Sequence, residues 1–558
     1  MQDKRDRRTI VIVGGVAGGA SAATRARRCN EDAHIIMYEK DKHVSFANCG
    51  LPYYVGDEIR ERSKLLVATP ELFEKRFNIE VHTEHEVVSV HRDAKVVSVK
   101  RLSTGETFDQ PYDRLILAPG ATPIRPPMEG VDRPNVFTLR NLVDADRIRS
   151  FVRERKPERV AVVGAGFIGL EMVEQLKRIG VQTSLIELTP QVLPPLDAEM
   201  AHIIEAELIA EGIELHLGDG VAGFEQDCGL VTGVALSSGA VIEADMVILG
   251  IGVRPATQLA AEAGLELGQM GGITVNAHMQ TSDPWIYAVG DAVEYQYGPT
   301  ETPARIALAG PANRAGRIAG QHAAIDEADE MAPVYGTSIV RVFGKAAAVT
   351  GLSMKLARRF GRDARSVFVV GRHHAGYFPG GRELILKLIY DPKTEKVLGA
   401  QAVGPEGADK RIDIVATLMR FGGTVRDLAG LDLAYAPPYG SAKDVLHMAA
   451  FAACNDLDDV TPAAPIDASL DGKQVIDVRT KQELIGGSIP GAKHIPVDEL
   501  RDRLGELDAA KPTVTVCRSG QRGHIAARIL RGHGFADVED LTGGMLMRHH
   551  AFPENGKA

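Results

Sequence analysis

The chain has 558 residues, room for about three or four domains. Its 44% hydrophobic and 25% charged residues are the balance of an ordinary globular protein, and a net charge of -10 speaks against nucleic-acid binding. No apolar run is long enough to span a bilayer, and the charged residues 1–8 lead straight into a strand with no apolar signal core, so no membrane partner and a cytoplasmic location are expected.

Thr9-Ile10-Val11-Ile12-Val13 is apolar and β-branched, as a buried parallel strand requires. Gly14-Gly15-Val16-Ala17-Gly18-Gly19 follows, and residues 20–28 have helical composition. Strand, glycine turn and helix form a dinucleotide fingerprint, in which backbone approaches a pyrophosphate and the helix start attracts its charge. The next predicted strand, residues 34–38, ends at Glu39, placed to bond a ribose hydroxyl. Val16 departs from the pattern, which has glycine there.

Ser45-Phe46-Ala47-Asn48-Cys49-Gly50-Leu51-Pro52-Tyr53-Tyr54 comes next. A lone cysteine is by default a small buried hydrophobe. Here it follows a nucleotide site directly. The five cysteines (Cys29, Cys49, Cys228, Cys454 and Cys517) are spaced too irregularly for a disulfide framework or a zinc site. No metal is expected, and the compartment is expected to be reducing. Cys49 therefore has no local disulfide partner. A redox role for it would have to run through a mixed disulfide, a persulfide or a sulfenate.

Asp113 to Ala121 reads as an apolar strand that stops at a glycine turn. Arg159-Val160-Ala161-Val162-Val163 then leads into Gly164-Ala165-Gly166-Phe167-Ile168-Gly169, a complete second fingerprint. A helix is predicted over residues 170–179 and a strand over 181–186, ending at Glu187. A carboxylate there accepts from a free 2′-hydroxyl and repels a 2′-phosphate, which favours NADH. Arg178 works against that preference. Downstream, Ile286-Tyr287-Ala288-Val289-Gly290-Asp291-Ala292 is a strand ending in Gly-Asp.

Two fingerprints followed by Gly290-Asp291 resemble the two-dinucleotide flavoprotein disulfide reductase family. The resemblance implies FAD at the first site, NAD(P)H at the second, and Asp291 on the flavin ribityl chain. It adds Lys40, Val87, Ala118, Arg140, Gly252 and Ala309 to the cofactor-binding set. The segment from Ser45 to Tyr54 is similar to the single-cysteine branch: coenzyme A disulfide reductases, NADH oxidases, NADH peroxidases and persulfide reductases. Ala17 stands where the peroxidases place a histidine, which argues against peroxide chemistry.

Residues 331–454 resemble the family's dimerisation domain. Arg372 to Gly380 and Ala434 to Tyr439 look like coenzyme A disulfide reductase segments. There two tyrosines, at positions matching Tyr377 and Tyr435, reach across a dimer to the active-site sulfur. A phenol can donate to a leaving or attacking sulfur. Coenzyme A needs cations, and Ser21, Arg25 and Arg28 lie on roughly one helix face. The resemblance implies a coenzyme A channel of Ser21, Arg25, Arg28, Ser45 and Asn48. Arg76 substitutes for a family lysine whose position is held here by Phe77.

Residues 455–468, rich in Asp, Pro and Ala, read as a linker. A strand around Val475 precedes Val514-Thr515-Val516, and Cys517-Arg518-Ser519-Gly520-Gln521-Arg522-Gly523 opens a helix at His524. A cysteine at a strand end, a short loop and a helix start form a nest around a thiolate, and Arg518 and Arg522 are expected to lower the thiol pKa. This loop and Leu541-Thr542-Gly543-Gly544 resemble a rhodanese domain, which carries sulfur as a cysteine persulfide; Arg522 joins Cys517 there as catalytic. A tryptophan usual after Gly544 is missing. The related phosphatase loop has its arginine one residue further from the cysteine.

The expected class is α/β. FAD binding falls to residues 1–125 and 255–330 and NAD(H) binding to 126–254. Residues 331–454 dimerise, and 469–558 form the rhodanese. The expected function is a homodimeric FAD enzyme, its active site shared across the interface, that uses NADH to reduce persulfides, polysulfides or coenzyme A disulfide. A water-forming NADH oxidase with a cysteine sulfenate and a redox-sensing or sulfur-carrier flavoprotein are the alternatives.

Overall fold

The β-branched run Thr9–Val13 is a strand buried on both faces, at the centre of a five-stranded parallel sheet. The strand order is Ile286–Ala288, Arg114–Leu117, Thr9–Val13, His34–Glu39, Ile79–Thr83. Alternation of polar and apolar residues is absent from the inner strands because the sheet is covered on both faces, and Val87, Val90, Val97 and Val99 of a small antiparallel sheet share its core. The helices Ala17–Cys29 and Ala309–Ile325 pack closely on one side. Side chains at Gly316 and Gly320 would collide with the carbonyls of Gly18 and Ala22, which is why that contact is built from small residues.

The computed structural model describes residues 8–552, which fall into two compact units. Unit one runs to Leu188 and resumes over Asp219–Gly336. It holds the sheet above and, in a second parallel sheet, the adjacent strands Gln182–Glu187, Arg159–Val163, Met246–Leu249 and Val136–Thr138. Each sheet carries a small three-stranded antiparallel companion, His85–Pro111 and Val221–Glu243 at their outer limits. The second fingerprint helix is Phe167–Arg178, beginning three residues before the predicted start because Gly166 already caps it.

Unit two comprises Thr189–Gly218 and residues from Thr337 onward. Its first part is a five-stranded antiparallel sheet ordered Ser338–Val342, Lys345–Gly351, Val397–Gly404, Glu383–Tyr390, Arg365–Arg372. The buried Lys387 of this sheet binds Asp197 at 2.7 Å and Glu199 at 2.5 Å, fastening the 189–218 excursion to it. The second part is a parallel sheet ordered Ala463–Ala464, Val538–Leu541, Thr513–Val516, Gln474–Asp477, Lys493–His494.

Residues 455–468 differ from the free linker their composition suggested. The helix Val445–Leu457 runs into them, and Ala463–Ala464 pairs with Val538–Leu541 as an edge strand of the C-terminal sheet. Asp456 accepts from Arg365 (3.0 Å), Tyr390 (2.7 Å) and the amide of Ala463 (2.9 Å). Ala464 and Ile466 are buried. Across the same junction Phe368 N donates to Thr542 Oγ1 at 2.8 Å, inside the protein. These bonds and the buried Ala464 and Ile466 tie the segment to both neighbouring sheets, and releasing it would expose them.

Candidate functional site

Both glycine turns end in the same geometry. Glu39 Oε2 accepts from Gly15 N at 2.8 Å, and Glu187 Oε2 accepts from Ala165 N at 2.7 Å. Gly14 has φ +94, and a side chain on it would lie 2.2 Å from the Ala118 carbonyl, so only glycine fits. Val16 has a negative φ, -92, so it does not need the left-handed conformation that demands glycine at Gly14. Burial pushes the Glu39 carboxyl up, against the hydrogen bonds from the Asp41 and Gly15 amides. Three helices of 13, 12 and 17 residues begin at Ala17, Phe167 and Ala309 with no side-chain cap. Their first-turn N–H groups can meet phosphates. Gly166 and Gly310 have open space where a side chain would stand, so the residues present fit dinucleotides.

Asp291, in the turn Gly290–Ala292, binds Arg140 at 3.2 Å. Ala118 N bonds Val13 O, at the mouth of the first fingerprint. Gly252 has φ +102 and accepts from Ile124 N. Val87 is buried in the companion sheet, Lys40 is exposed beside Glu39, and Ala309 is exposed at its helix start. Gly18, Gly19, Gly164, Ile168 and Gly169 lie in their fingerprint turns or helix starts.

The cysteine segment hangs from the first fingerprint. Ser45, at φ +44, donates its amide to Gly15 O at 2.8 Å, and Ala47 N bonds Leu65 O at 2.8 Å. The chain then makes the single turn Asn48–Gly50 and enters the short helix Leu51–Val55. This helix packs against the second fingerprint helix, where Tyr53 Oη donates to Glu171 Oε1 at 3.2 Å. Tyr54 Oη donates to Asp146 at 3.1 Å. Cys49 is exposed. Contact with the protein on its inner side pushes its thiol pKa up; Glu171 and Asp291 add to this, while a backbone amide and Arg140 oppose it. Glu171 was not singled out in the sequence, because it stands in no motif. Arg178 pairs with Glu58 at 3.9 Å.

The predicted coenzyme A residues do not share a single set of contacts. Ser21 bonds Asn313 at 2.6 Å and Arg25 bonds Gln321, both on the helix Ala309–Ile325. Arg28 instead lies over the Phe77 ring, 5.4 Å from its centre. Arg76 is exposed on the helix Pro70–Phe77. Phe77, at the position of the missing lysine, thus provides an aromatic face for a cation.

In unit two, Tyr377 and Tyr435 meet, hydroxyl to hydroxyl, at 2.8 Å, and both remain exposed. Their hydrogen bond pushes the Tyr377 phenol up. A buried arginine holds the two segments together. Arg411 donates to His373 O (2.8 Å) and to both oxygens of Asp444 (3.2 and 2.5 Å). A single buried Arg in a helix has no sequence signature, so this support was missed.

Cys517 follows the strand Thr513–Val516, and its Sγ accepts from Gly520 N at 3.0 Å. The nest is present, but its electrostatics correct the expectation. The Cys517 thiol is pushed up, first by burial and then by Asp540, against the amides of the loop. Neither arginine is unpaired: Arg522 forms a two-pronged bond to Glu483 at 2.6 and 2.7 Å, and Arg518 binds Glu383 at 3.1 Å. Both carboxylates come from distant sequence, which no local motif reveals.

These geometries agree with what the chain resembles. The dimerisation domain of the pyridine nucleotide-disulphide oxidoreductases matches residues 337–445, and a rhodanese-like domain matches 463–546. The structure of reduced Bacillus anthracis CoADR-RHD is similar at 44% identity and a TM-score of 0.95, over 99% of both chains. That of an NAD-dependent persulfide reductase from A. fulgidus is similar at 36% identity and a TM-score of 0.91, over 97% of this chain and 99% of the other. Coenzyme A disulfide reductase of Staphylococcus aureus (strain JH9) is 37% identical over 447 residues, 80% of this chain and 99% of the relative. With the pyridine nucleotide-disulphide oxidoreductase description matching residues 8–328 as well, the chain belongs to that family.

Proposed function

We propose that the protein is an FAD-dependent NADH:persulfide and coenzyme A disulfide reductase that works as a homodimer. The observation that carries this reading is the pairing, in one chain, of a single cysteine beside two dinucleotide sites with a second cysteine in a rhodanese loop. An oxidase has no use for Cys517. In balance, NADH, a proton and R–S–SH yield NAD+, R–SH and hydrogen sulfide; with coenzyme A disulfide the products are NAD+ and two thiols. Bound FAD would supply the two-electron redox chemistry that links NADH to sulfur.

The residues have separable tasks. Glu39 and the turn from Gly14 to Gly19 hold the FAD pyrophosphate and ribose, with Lys40, Val87, Ala118, Arg140, Asp291 and Ala309 completing that site. Glu187, the turn from Gly164 to Gly169, and Gly252 hold NADH. Cys49 attacks the substrate sulfur as a thiolate. The Tyr377–Tyr435 pair, supplied by the partner protomer, donates to the departing sulfur. Ser21, Arg25, Arg28, Ser45, Asn48 and Arg76 form the coenzyme A channel. Residues 1–125 with 255–330, and 126–254, are the two nucleotide domains in this reading.

The test is anaerobic NADH consumption with coenzyme A persulfide, polysulfide, coenzyme A disulfide and peroxide. Sustained turnover with the sulfur substrates is expected. Consumption that requires oxygen would make the protein an oxidase, and one stoichiometric loading without turnover would make it a carrier or sensor.

A further inference from the structure

Around Cys517 the charges cancel. The two cations of its loop, Arg518 and Arg522, are each bound to one carboxylate from outside the loop. Arg522 holds Glu483 in its ionised form, with the carboxyl pushed down to about 2. Glu383 is the first residue of the strand Glu383–Tyr390 and belongs to the dimerisation domain, not the rhodanese. Beneath the loop lies Asp540, its carboxyl pushed well above the usual carboxylate range by complete burial. It leaves no space for a side chain on Gly523. The groups that favour the thiolate are the loop amides of Ser519, Gly520 and Gly523, while both loop arginines are engaged by carboxylates.

That balance bears on which sulfur donor can enter. Thiosulfate carries two negative charges next to its sulfane sulfur. It needs a cation that is free of other partners, because like charge at a few ångströms is repelled and desolvation is not offset. An organic persulfide has at most one charge at its sulfur. We propose that Glu383 is a specificity-determining residue: by engaging Arg518 it biases the Cys517 loop towards organic persulfides and against inorganic dianions. The proposal rests on reading residues 463–546 as a sulfur-transfer module. It also gives the dimerisation domain a part in choosing the donor of its neighbour.

The transfer step itself needs no oxidant. The Cys517 thiolate attacks the outer sulfur of R–S–SH, a new S–S bond forms, and the original S–S bond breaks. The departing R–S− keeps the electron pair and takes a proton from solvent, while Cys517 retains the terminal S–H. The Arg518–Glu383 pair is half exposed and such pairs are weak, so the bias is one of degree.

The experiment measures kcat/KM for thiosulfate and for glutathione persulfide, with cyanide as common acceptor, on the full-length protein. The thiosulfate-to-persulfide ratio is expected to rise about tenfold in E383Q, the scale of one removed charge contact. In E383Q/R518Q the gain is expected to vanish, since the freed cation is gone. A ratio in E383Q within about twofold of the parent, or a gain that persists in the double variant, overturns the proposal. C517S separates the two layers. If it still transfers sulfur, the sulfur-transfer reading fails and this proposal with it; if it is dead while the E383Q ratio is unchanged, only the role of Glu383 fails.

Discussion

Replacing Arg411 by methionine removes one guanidinium from a site that is almost closed to solvent. Arg411 is 1% exposed and Asp444 3%. The substitution deletes the bonds to Asp444 at 3.2 and 2.5 Å, to His373 O at 2.8 Å and to Gly407 O at 3.3 Å. What remains is a buried carboxylate with one partner, the amide of Leu446 at 3.1 Å. An uncompensated buried charge of this kind costs about 3–5 kcal/mol. For a folding unit of this size about 2–4 °C is lost per kcal/mol, so the calorimetric transition of unit two should fall by about 6–20 °C. Adding Asp444→Asn removes the stranded charge and should recover a large part of that loss. The same substitution frees the base of the Tyr377 segment, so reductase activity should fall at temperatures where the protein is still folded. A shift below about 2 °C, or a double variant less stable than Arg411→Met alone, would refute the reasoning.

Cys49→Ser should retain FAD, since no predicted flavin contact is altered. It should lose more than about a hundredfold in persulfide and disulfide reduction, because nucleophilic catalysis is removed; near-parental turnover would take Cys49 out of the mechanism. Glu187→Ala should erode an NADH preference of about tenfold or more over NADPH. Equal specificity constants in the parent enzyme would show that Glu187 does not set the choice. Because burial raises the Cys517 thiol above its ordinary value, alkylation of Cys517 by iodoacetamide should still be climbing beyond about pH 8.5. The thiolate is the reactive form, so a plateau below neutrality would contradict that environment.

Local chemistry made the two nucleotide sites legible. The turn from Gly14 to Gly19 is a short run whose residue types suit close approach of a phosphate, although its glycines are required by residues as distant as Ala118, and the acids Glu39 and Glu187 close those turns at the ends of the adjacent strands. The lone Cys49, the tyrosine segments and the Cys517 loop stood out for the same reason: each is a short run whose residue types suit one chemistry. What sequence could not supply were partners brought from far along the chain. Glu171 beside Cys49, Arg411 beneath the Tyr377 segment, and Glu383 and Glu483 on the rhodanese arginines are placed only by packing. Composition read residues 455–468 as a tether, because Pro, Ala and Asp are common in linkers. The tertiary structure made them an edge strand and a bonded junction, because Asp456 found three donors and Ile466 a buried site. Charge followed the same division. Sequence shows that two arginines flank Cys517, but the sign of the pKa shift depends first on burial and then on Asp540 of the adjacent strand Val538–Leu541, and only the folded chain decides that.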